Sequence, residues 1–249
     1  MAVRPLIAGN WKMNLNLADA RRLVTVLAAY MKQETGLDMV VCPSAQLLAP
    51  VAACLDGSSL GIGGQDCHAQ ASGAHTGDIS ATMLWDIGCG YVIVGHSERR
   101  ADHGETDAAV KAKAVAVHAA GLIAIICVGE TEAERDAGRA TAVVEQQLRG
   151  SLPEGASAAN TVAAYEPVWA IGTGKTATIG DVVEMHAHAR SILRDVAGDG
   201  GALRVLYGGS VKPGNAAEIL AAAEVGGALV GGASLVAEDF IAIANAAPK

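Results

Sequence analysis

Short apolar runs recur along the chain of 249 residues, and each is bounded by glycine, proline or polar residues. The runs are continuous rather than alternating, a pattern typical of parallel strands that are buried on both faces. We predict eight strands, at Pro5–Ala8, Met39–Cys42, Leu60–Gly63, Tyr91–Val94, Leu122–Val128, Val162–Tyr165, Leu203–Tyr207 and Ala228–Gly231.

The segments between these runs carry the period of amphipathic helices. In the first segment, Ala20, Leu23, Leu27 and Tyr30 fall on one face, and Asn16 precedes them as the predicted N-cap. Strict alternation of strand and helix indicates a parallel α/β protein. A closed barrel and a doubly wound open sheet both fit this alternation. Eight units in a chain of this length favour a (β/α)₈ barrel, which we predict as one domain over the whole chain.

Composition narrows the class of protein. About half of the residues are hydrophobic but only 3% are aromatic, so we expect an aliphatic core. There is no low-complexity tract and no apolar run of the ~18–20 residues that span a bilayer, and because the first apolar stretch is short we expect no secretory signal. Five scattered cysteines without a CxxC pair indicate reduced thiols and a cytoplasmic protein. The net charge of −8 disfavours nucleic-acid binding, and an anionic substrate would need locally concentrated cations.

Polar residues or glycine pairs follow several of the predicted strands. In a parallel barrel, the side chains that perform chemistry lie at the C-terminal ends of the strands. The candidates are Asn10 and Lys12 after the first strand, His96 after the fourth, Glu166 after the sixth, Ser210 after the seventh, and Gly231 and Gly232 at the eighth. We therefore expect an amide, an ammonium, an imidazole, a carboxylate, a hydroxyl and backbone N–H groups to converge on one rim.

Glu166 is the candidate base. An apolar segment containing Pro167 and Trp169 follows it, and a carboxylate that such a lid desolvates becomes a stronger base because burial raises its pKa. His96 opens the segment HSERR at the predicted start of a short helix, where the helix dipole keeps an imidazole neutral. The alternatives are a solvated acid at a strand end and a structural, hydrogen-bonded histidine.

The segment GTGKTA suggests nucleotide binding at first sight. A phosphate loop needs a glycine five positions before Gly174, and that position is Trp169. Gly172, Gly174 and Ala177 match a dinucleotide fingerprint, but Pro167 ends the strand several residues too early for the required turn. We therefore favour a glycine-hinged lid over both nucleotide interpretations.

The glycines of YGGSVKPG and LVGGASL are either tight turns or a phosphate site, which barrels usually form from the loops after strands seven and eight. The other histidines do not suggest a metal. His186 and His188 are two apart on a helix and cannot face one ion, and His186 falls on an apolar stripe. Without HExxH or clustered carboxylates, we predict no metal ion.

A long segment, GGQDCHAQASGAHTGDIS, carries no helix or strand pattern. Loops of this length in a compact domain usually have a function. Disorder is the alternative, but the segment is neither highly charged nor rich in proline. We expect it to dock into a second copy of the chain.

Six motifs together point to a family. They are NWKMN, GAHTGDIS, GHSERR, AYEPVWAIGTGKTAT, YGGSV and LVGGASL, in this order along the chain. In order and spacing they resemble the triosephosphate isomerase family from end to end. The resemblance implies a TIM barrel that interconverts dihydroxyacetone phosphate and D-glyceraldehyde 3-phosphate in glycolysis and gluconeogenesis, through a cis-enediolate and without a cofactor.

The resemblance also implies roles for matching residues. Glu166 would move the proton between two carbons, neutral His96 would polarise the carbonyl, and Lys12 would supply positive charge. Glu98 would support Lys12. The substrate would contact Asn10, Lys12, Gly172, Ser210, Gly231 and Gly232, with backbone N–H groups holding the phosphate.

The resemblance further implies a homodimer formed through the loop from Gln65 to Ile79, in which Thr76 reaches into the neighbouring subunit's site. Three positions depart from the family pattern: His75 stands where phenylalanine is usual, Asp78 where glutamate is usual, and Gly226 where aspartate is common. Two other classes stay open, a catalytically silent barrel that serves as a binding protein and an oxidoreductase suggested by GTGKTA.

Overall fold

The computed structural model describes residues 4–33, 36–55, 57–172 and 175–248. Within these residues, eight parallel strands close into a barrel in chain order. They are β1 (Leu6–Asn10), β2 (Asp38–Cys42), β3 (Gly61–Gly64), β4 (Tyr91–Val94), β5 (Ile123–Val128), β6 (Thr161–Tyr165), β7 (Arg204–Tyr207) and β8 (Gly227–Val230). Because β1 pairs with both β2 and β8, the sheet has no free edge, and the predicted (β/α)₈ barrel is confirmed over the open sheet.

The strands begin and end within two residues of the predicted runs. The largest difference is in β1, which continues past Ala8 to Asn10 because Asn10 pairs with Cys42 of β2. Its side chain is buried despite being polar. In the neighbouring strand, Gly231 lies one residue beyond the C-terminal end of β8.

Ten α-helices surround the barrel in the described part of the chain: α1 (Leu17–Met31), α2 (Leu48–Ala52), α3 (Ala81–Asp86), α4 (Ser97–Asp102), α5 (Asp107–Ala119), α6 (Glu132–Asp136), α7 (Ala140–Ser151), α8 (Ile179–Val196), α9 (Pro213–Leu220) and α10 (Ala237–Asn245). The N-cap predicted at Asn16 is confirmed, since its side chain accepts a hydrogen bond from the backbone N of Asp19 at 3.0 Å. Each described helix is too short or too polar to traverse a bilayer.

The core has two layers. Inside the barrel, alternate strand residues pack small aliphatic and thiol side chains against one another: Leu6, Ala8, Val40, Cys42, Ile93, Ile125, Cys127, Val162, Ala164, Leu206 and Leu229. Most of the other apolar strand residues, such as Ile7, Val41 and Val92, belong to a second cluster that they form with the apolar faces of the helices. Because the interior is filled, a ligand can approach the barrel only at its ends.

The five cysteines, all within the described residues, are free thiols, as predicted. Burial raises the pKa of Cys67 to about 12 and that of Cys89 to about 11. These thiols therefore stay protonated at neutral pH and serve as packing residues.

Candidate active site

The C-terminal ends of the strands border a cavity of about 580 Å³. Its lining includes each residue that the sequence analysis assigned to catalysis or substrate binding: Asn10, Lys12, His96, Glu166, Gly172, Ser210, Gly231 and Gly232. Of the two supporting residues, Glu98 contacts Lys12, whereas Thr76 lies on an exposed loop. The barrel thus gathers residues from the first, fourth, sixth, seventh and eighth strand ends at one site.

The side chains of Glu166 and His96, which both line this cavity, contact each other directly. Glu166 directly follows β6 and is only 1% exposed. Its Oε1 lies 2.8 Å from Nε2 of His96, and its Oε2 accepts a hydrogen bond from the backbone N of Ser97 at 2.9 Å. Each carboxylate oxygen therefore has a donor, and the side chain is held in one orientation.

The pKa of Glu166 differs from the sequence-based expectation. Burial raises it, but the charge and hydrogen bond of His96, the N–H of Ser97 and the charge of Lys12 together hold the pKa below its usual value. The expectation of a raised pKa is therefore wrong for this arrangement. The reason is that the hydrogen-bond donors and positive charges around the carboxylate together outweigh the effect of its burial.

His96 caps the N-terminus of α4, as predicted. Its Nδ1 accepts a hydrogen bond from the backbone N of Glu98 at 3.2 Å, so Nε2 is the nitrogen that donates to Glu166. Burial lowers the pKa of His96, and the charge and hydrogen bond of Glu166 raise it above its usual value. This direction differs from the expectation of a ring kept neutral by the helix dipole, because the buried carboxylate of Glu166 favours the imidazolium. The N–H of Glu98 opposes protonation, because an imidazolium would carry a second proton on Nδ1.

Lys12 has an unusual backbone conformation, with φ of +50°. Its N donates to Oδ1 of Asn10 at 3.0 Å, its Nζ lies 2.5 Å from Oε1 of Glu98, and its carbonyl accepts from Nε2 of Gln65 at 2.8 Å. Gln65 also donates to the carbonyl of Cys42 at 2.9 Å. Sequence reasoning missed Gln65, although its position directly after β3 was a signal that could have identified it.

Backbone N–H groups border the opposite part of the cavity. Gly232 begins the 3₁₀ turn Gly232–Leu235, and the first N–H groups of a helical turn have no partner within it. The loop that carries Ser210 is fixed by Asn215, whose Oδ1 accepts from the N of Lys212 at 2.7 Å and whose Nδ2 donates to the Ser210 carbonyl at 3.0 Å. Sequence reasoning missed Asn215, because nothing distinguishes it from an ordinary asparagine at a helix start.

A buried carboxylate anchors the start of the predicted lid. Within the 3₁₀ turn Val168–Ala170, Trp169 donates from Nε1 to Oε1 of Glu130 at 2.8 Å. The same oxygen accepts from Tyr165 at 3.1 Å and from Arg135 at 2.9 Å. Arg135 also lies over the Trp169 ring, 4.9 Å from its centroid. Glu130 was missed as well, although it closely follows β5 at the same rim.

The rest of the lid is described in part. Gly172 has φ of +69°, a left-handed conformation that glycine adopts without strain. Gly174, which both nucleotide interpretations require, lies outside the described residues, as does Thr173. Because β6 ends at Tyr165 and a 3₁₀ turn intervenes, Gly172 is not in the turn that directly follows the strand, and this argues against the dinucleotide fingerprint.

His186 packs in the core, as its apolar stripe predicts. Its ring centroid lies 6.0 Å from that of Tyr165 and 6.3 Å from that of Tyr207. Burial lowers its pKa to about 4, so the ring is neutral. His188 instead contacts the carbonyl of Thr141 at 3.0 Å. The two histidines therefore have different neighbours, as expected from their spacing.

Residues 65–80 connect β3 to α3 without a helix or strand, apart from one bridge between His68 and Ser80. Residues 70–78 are all exposed, and Thr76 is among them. Large apolar side chains are also exposed beside Lys12 and in α3, most of all Met13, which is 94% exposed, and Trp85, which is 61% exposed. Exposed apolar groups of this size are typical of interaction surfaces.

Known proteins match this chain over nearly its whole length. The family described as triosephosphate isomerase matches residues 5–247. The triosephosphate isomerase of Afipia carboxidovorans is 61% identical over 247 residues, which cover 99% of this chain and 98% of that protein. That of Xanthobacter flavus is 58% identical over 246 residues, which cover 98% and 97%.

A solved structure agrees with these matches. The crystal structure of triosephosphate isomerase from Bartonella henselae has a TM-score of 0.92 and 46% identity to this chain, and the match covers 98% of this chain and 99% of that one. Sequence and fold comparisons thus agree over nearly the whole chain. On these grounds the chain belongs to the triosephosphate isomerase family.

Proposed function

We propose that this enzyme interconverts dihydroxyacetone phosphate and D-glyceraldehyde 3-phosphate in glycolysis and gluconeogenesis. The observation that carries the proposal is the buried pair Glu166–His96, with 2.8 Å between Oε1 and Nε2, in a cavity that Lys12 also lines. Moving a proton between the neighbouring carbons of a hydroxycarbonyl compound needs a base, a donor to the carbonyl oxygen and a nearby positive charge. These three side chains supply one of each.

Glu166 is the proposed base. Its lowered pKa keeps the carboxylate ionised at neutral pH. A substrate that enters between Glu166 and His96 replaces their mutual hydrogen bond, so the main contribution that lowers the pKa is lost and burial, which raises it, dominates. The carboxylate then becomes basic enough to take a proton from the carbon beside the carbonyl and return it to the neighbouring carbon.

His96 is the proposed proton donor to the substrate oxygens, as a neutral ring once the substrate has replaced its hydrogen bond with Glu166, the main neighbour that raises its pKa. Its Nδ1 is occupied by the N–H of Glu98, so the ring proton is on Nε2, the nitrogen that faces Glu166. From there it polarises the carbonyl and moves protons between the two oxygens of the cis-enediolate. Lys12 places a positive charge beside the negative charge that develops on these oxygens.

The phosphate is proposed to bind where Gly172, Ser210, Gly231 and Gly232 line the cavity. Backbone N–H groups at the start of a helical turn bind anions through hydrogen bonds and the local dipole. The segment after Glu166 would then close over the substrate. An enediolate beside a phosphate ester expels phosphate when water has access to it, so closure protects the intermediate.

A coupled isomerase assay tests the proposed function. We expect turnover of both triose phosphates without added cofactor, and the same turnover after treatment with a chelator. A folded protein with no turnover would favour the silent barrel, and binding of a nicotinamide nucleotide in a fluorescence titration would favour the oxidoreductase. Either result would overturn the proposal.

We expect the pKa of His96 to fall when Glu166 is replaced by glutamine. The carboxylate of Glu166 is the principal neighbour that raises this pKa. Its loss leaves burial, the charge of Lys12 and the N–H of Glu98 to oppose the imidazolium, with only the charge of Glu98 in its favour. NMR titration of the ring nitrogens in Glu166→Gln should show a neutral ring that does not titrate near the usual ~6.5. The same ring in the wild-type chain, titrated in parallel, is the reference. An ordinary inflection for His96 in this variant would contradict its neutral role.

We infer that the working form is a homodimer in which the loop of residues 65–79 enters the partner near Lys12. The exposure of this loop and of Met13 and Trp85 supports this assembly, because an isolated barrel leaves these groups in water. A cytoplasmic location stays a prediction that rests on the free thiols.

A further inference from the structure

The loop between β3 and α3 brings together three side chains that the isomerase chemistry does not use. One ligand atom from each of His68, His75 and Asp78 lies within 4.8 Å of the other two. The ring centroids of the two histidines are 3.8 Å apart, and Nε2 of His68 lies 3.9 Å from Oδ2 of Asp78. One ligand atom from each imidazole and one carboxylate oxygen are thus close enough together to be brought to a single ion.

The backbone of the loop holds these three residues in place. The N of His68 donates to the carbonyl of Ile79 at 2.8 Å, which fixes the first residue of the group beside the chain that carries Asp78. The N of Asp78 donates to the carbonyl of His75 at 3.0 Å, so a turn brings the other two together. Gly77, within this turn, has φ of +96°. Because these main-chain hydrogen bonds already order the loop, much of the conformational entropy of bringing the three side chains together is lost on folding rather than on binding an ion.

Two imidazoles and one carboxylate are a ligand set that suits Zn²⁺ and similar transition metals. Such ions take bonds of ~2.0–2.2 Å in tetrahedral geometry, which places the ligand atoms roughly 3.4 Å apart and leaves a fourth position for water. To reach this geometry the two imidazole rings, whose centroids are now 3.8 Å apart with their planes 31° from parallel, must separate and turn so that one nitrogen of each points at the ion. Ca²⁺ and Mg²⁺ prefer oxygen ligands throughout, so this set does not suit them.

We propose that His68, His75 and Asp78 bind one divalent transition-metal ion of the Zn²⁺ class, which fixes the conformation of the loop of residues 65–80, the loop proposed above to enter the partner. In the present arrangement Nδ1 of His68 accepts from the N of Gln70 at 3.0 Å, and this contact turns Nε2 toward Asp78. When the metal occupies Nε2, the ring proton moves to Nδ1. The exposed N–H of Gln70 then turns to water.

The sequence did not indicate this site, and the prediction of no metal rested on the absence of familiar ligand spacings. Residues 68, 75 and 78 follow no such spacing, because the turn of an irregular loop rather than a helix or strand brings them together. His75 stands where phenylalanine is usual in the family, so the site would be a property of this chain rather than of the fold. The proposal does not depend on the isomerase assignment.

Co²⁺ tests the site, because its visible absorption reports tetrahedral coordination. We expect the purified, chelator-treated protein to bind one Co²⁺ per chain, and added Zn²⁺ to displace it. His75→Phe should weaken binding by at least ~10–100-fold, since it removes a ligand outright. Asp78→Asn should do the same, and it keeps the test decisive if His75→Phe does not fold. His103→Gln, which removes an exposed histidine outside the group, is the matched control.

Hydrogen exchange tests the fastening of the loop. We expect Zn²⁺ to slow amide exchange across residues 69–78 in the wild-type chain and in His103→Gln, and to leave it unchanged in His75→Phe and Asp78→Asn. No stoichiometric Co²⁺ binding by the wild-type protein would overturn the proposal. So would equal binding by the wild type and both ligand variants, or exchange in the loop that does not respond to Zn²⁺.

Discussion

Replacement of Glu166 by glutamine is expected to lower turnover by at least ~10²–10⁴-fold, the usual contribution of general acid–base catalysis. Glutamine keeps the shape of the side chain, and its amide oxygen still accepts the N–H of Ser97, but it cannot take a proton from carbon. The fold should barely change, because the barrel core does not depend on this charge. Steady-state kinetics near neutral pH, with thermal unfolding of the same samples, measures both quantities.

Glu145→Gln is the matched control for this variant. Glu145 lies in α7, away from the cavity, and pairs at the surface with Arg149 at 2.8 Å. Surface pairs of this kind contribute little to stability, so this variant should keep both its turnover and its unfolding temperature. Near-native turnover of Glu166→Gln would remove Glu166 from the mechanism. An equal loss of turnover in both variants would show that the assay reports on stability rather than on proton transfer.

The barrel was predictable because local and global rules agree in this chain. Continuous apolar runs predict strands buried on both faces, and the closed barrel buries them on both faces. The N-cap at Asn16 could be predicted from the sequence alone, because its hydrogen-bond partner, the N of Asp19, is only three residues away. The C-terminal end of β1 was harder to predict, because Asn10 is polar and yet continues the hydrogen bonding of the sheet.

The residues that line the cavity could be predicted from one rule, that the C-terminal ends of parallel strands meet at the same rim of the barrel. Applied to every strand, the same rule would have included Gln65 and Glu130, which follow β3 and β5. Their roles were hidden, because each acts on a residue distant in sequence: Gln65 on the carbonyl of Lys12, and Glu130 on the indole of Trp169. A lone glutamine or glutamate shows no such partner in the sequence.

The electrostatics of the site could not be predicted from local sequence. The apolar residues that follow Glu166 suggested a raised pKa, whereas His96 and Ser97, about seventy residues earlier in the chain, lower it. The direction of the shift depends on which neighbours the fold supplies, and sequence neighbours are a poor guide to these. The same limit applies to the group formed by His68, His75 and Asp78, which only the folded loop brings together.

Deletion of residues 71–77, with a short Gly-Ser linker in their place, is expected to give a folded monomer with turnover reduced by about 10²-fold or more. The deleted residues are all exposed and belong to no helix or strand, so their removal takes no side chain from the core. Because these residues do not pack against their own barrel, we expect them to pack against a second copy of the chain. A two-fold dimer provides such contacts to the loops of both subunits at once.

The effect on turnover follows from the proposed position of the partner's loop beside Lys12. The ammonium of Lys12 already pairs with Glu98, and its carbonyl accepts a hydrogen bond from Gln65. A contact from the partner's loop would further fix the position of this residue, whose backbone is strained. A displacement of about 1 Å in a catalytic group lowers the rate on the order of 10²-fold. Loss of the partner should therefore lower turnover even though each barrel keeps its catalytic residues.

Sedimentation velocity over a range of concentrations, with turnover measured on the same samples, decides between assembly and stability effects. Deletion of residues 71–77 also removes His75, so a second variant is needed to distinguish loss of the interface from loss of the metal site. Thr76→Arg places a bulky charge at the tip of the loop and keeps His68, His75 and Asp78. It should dissociate the dimer as the deletion does. Glu154→Arg introduces the same side chain at an exposed position before β6, at the opposite end of the barrel, and should leave the dimer and its turnover intact. A fully active monomer would refute the idea that the partner completes the site, and an unchanged dimer in both loop variants would place the interface elsewhere.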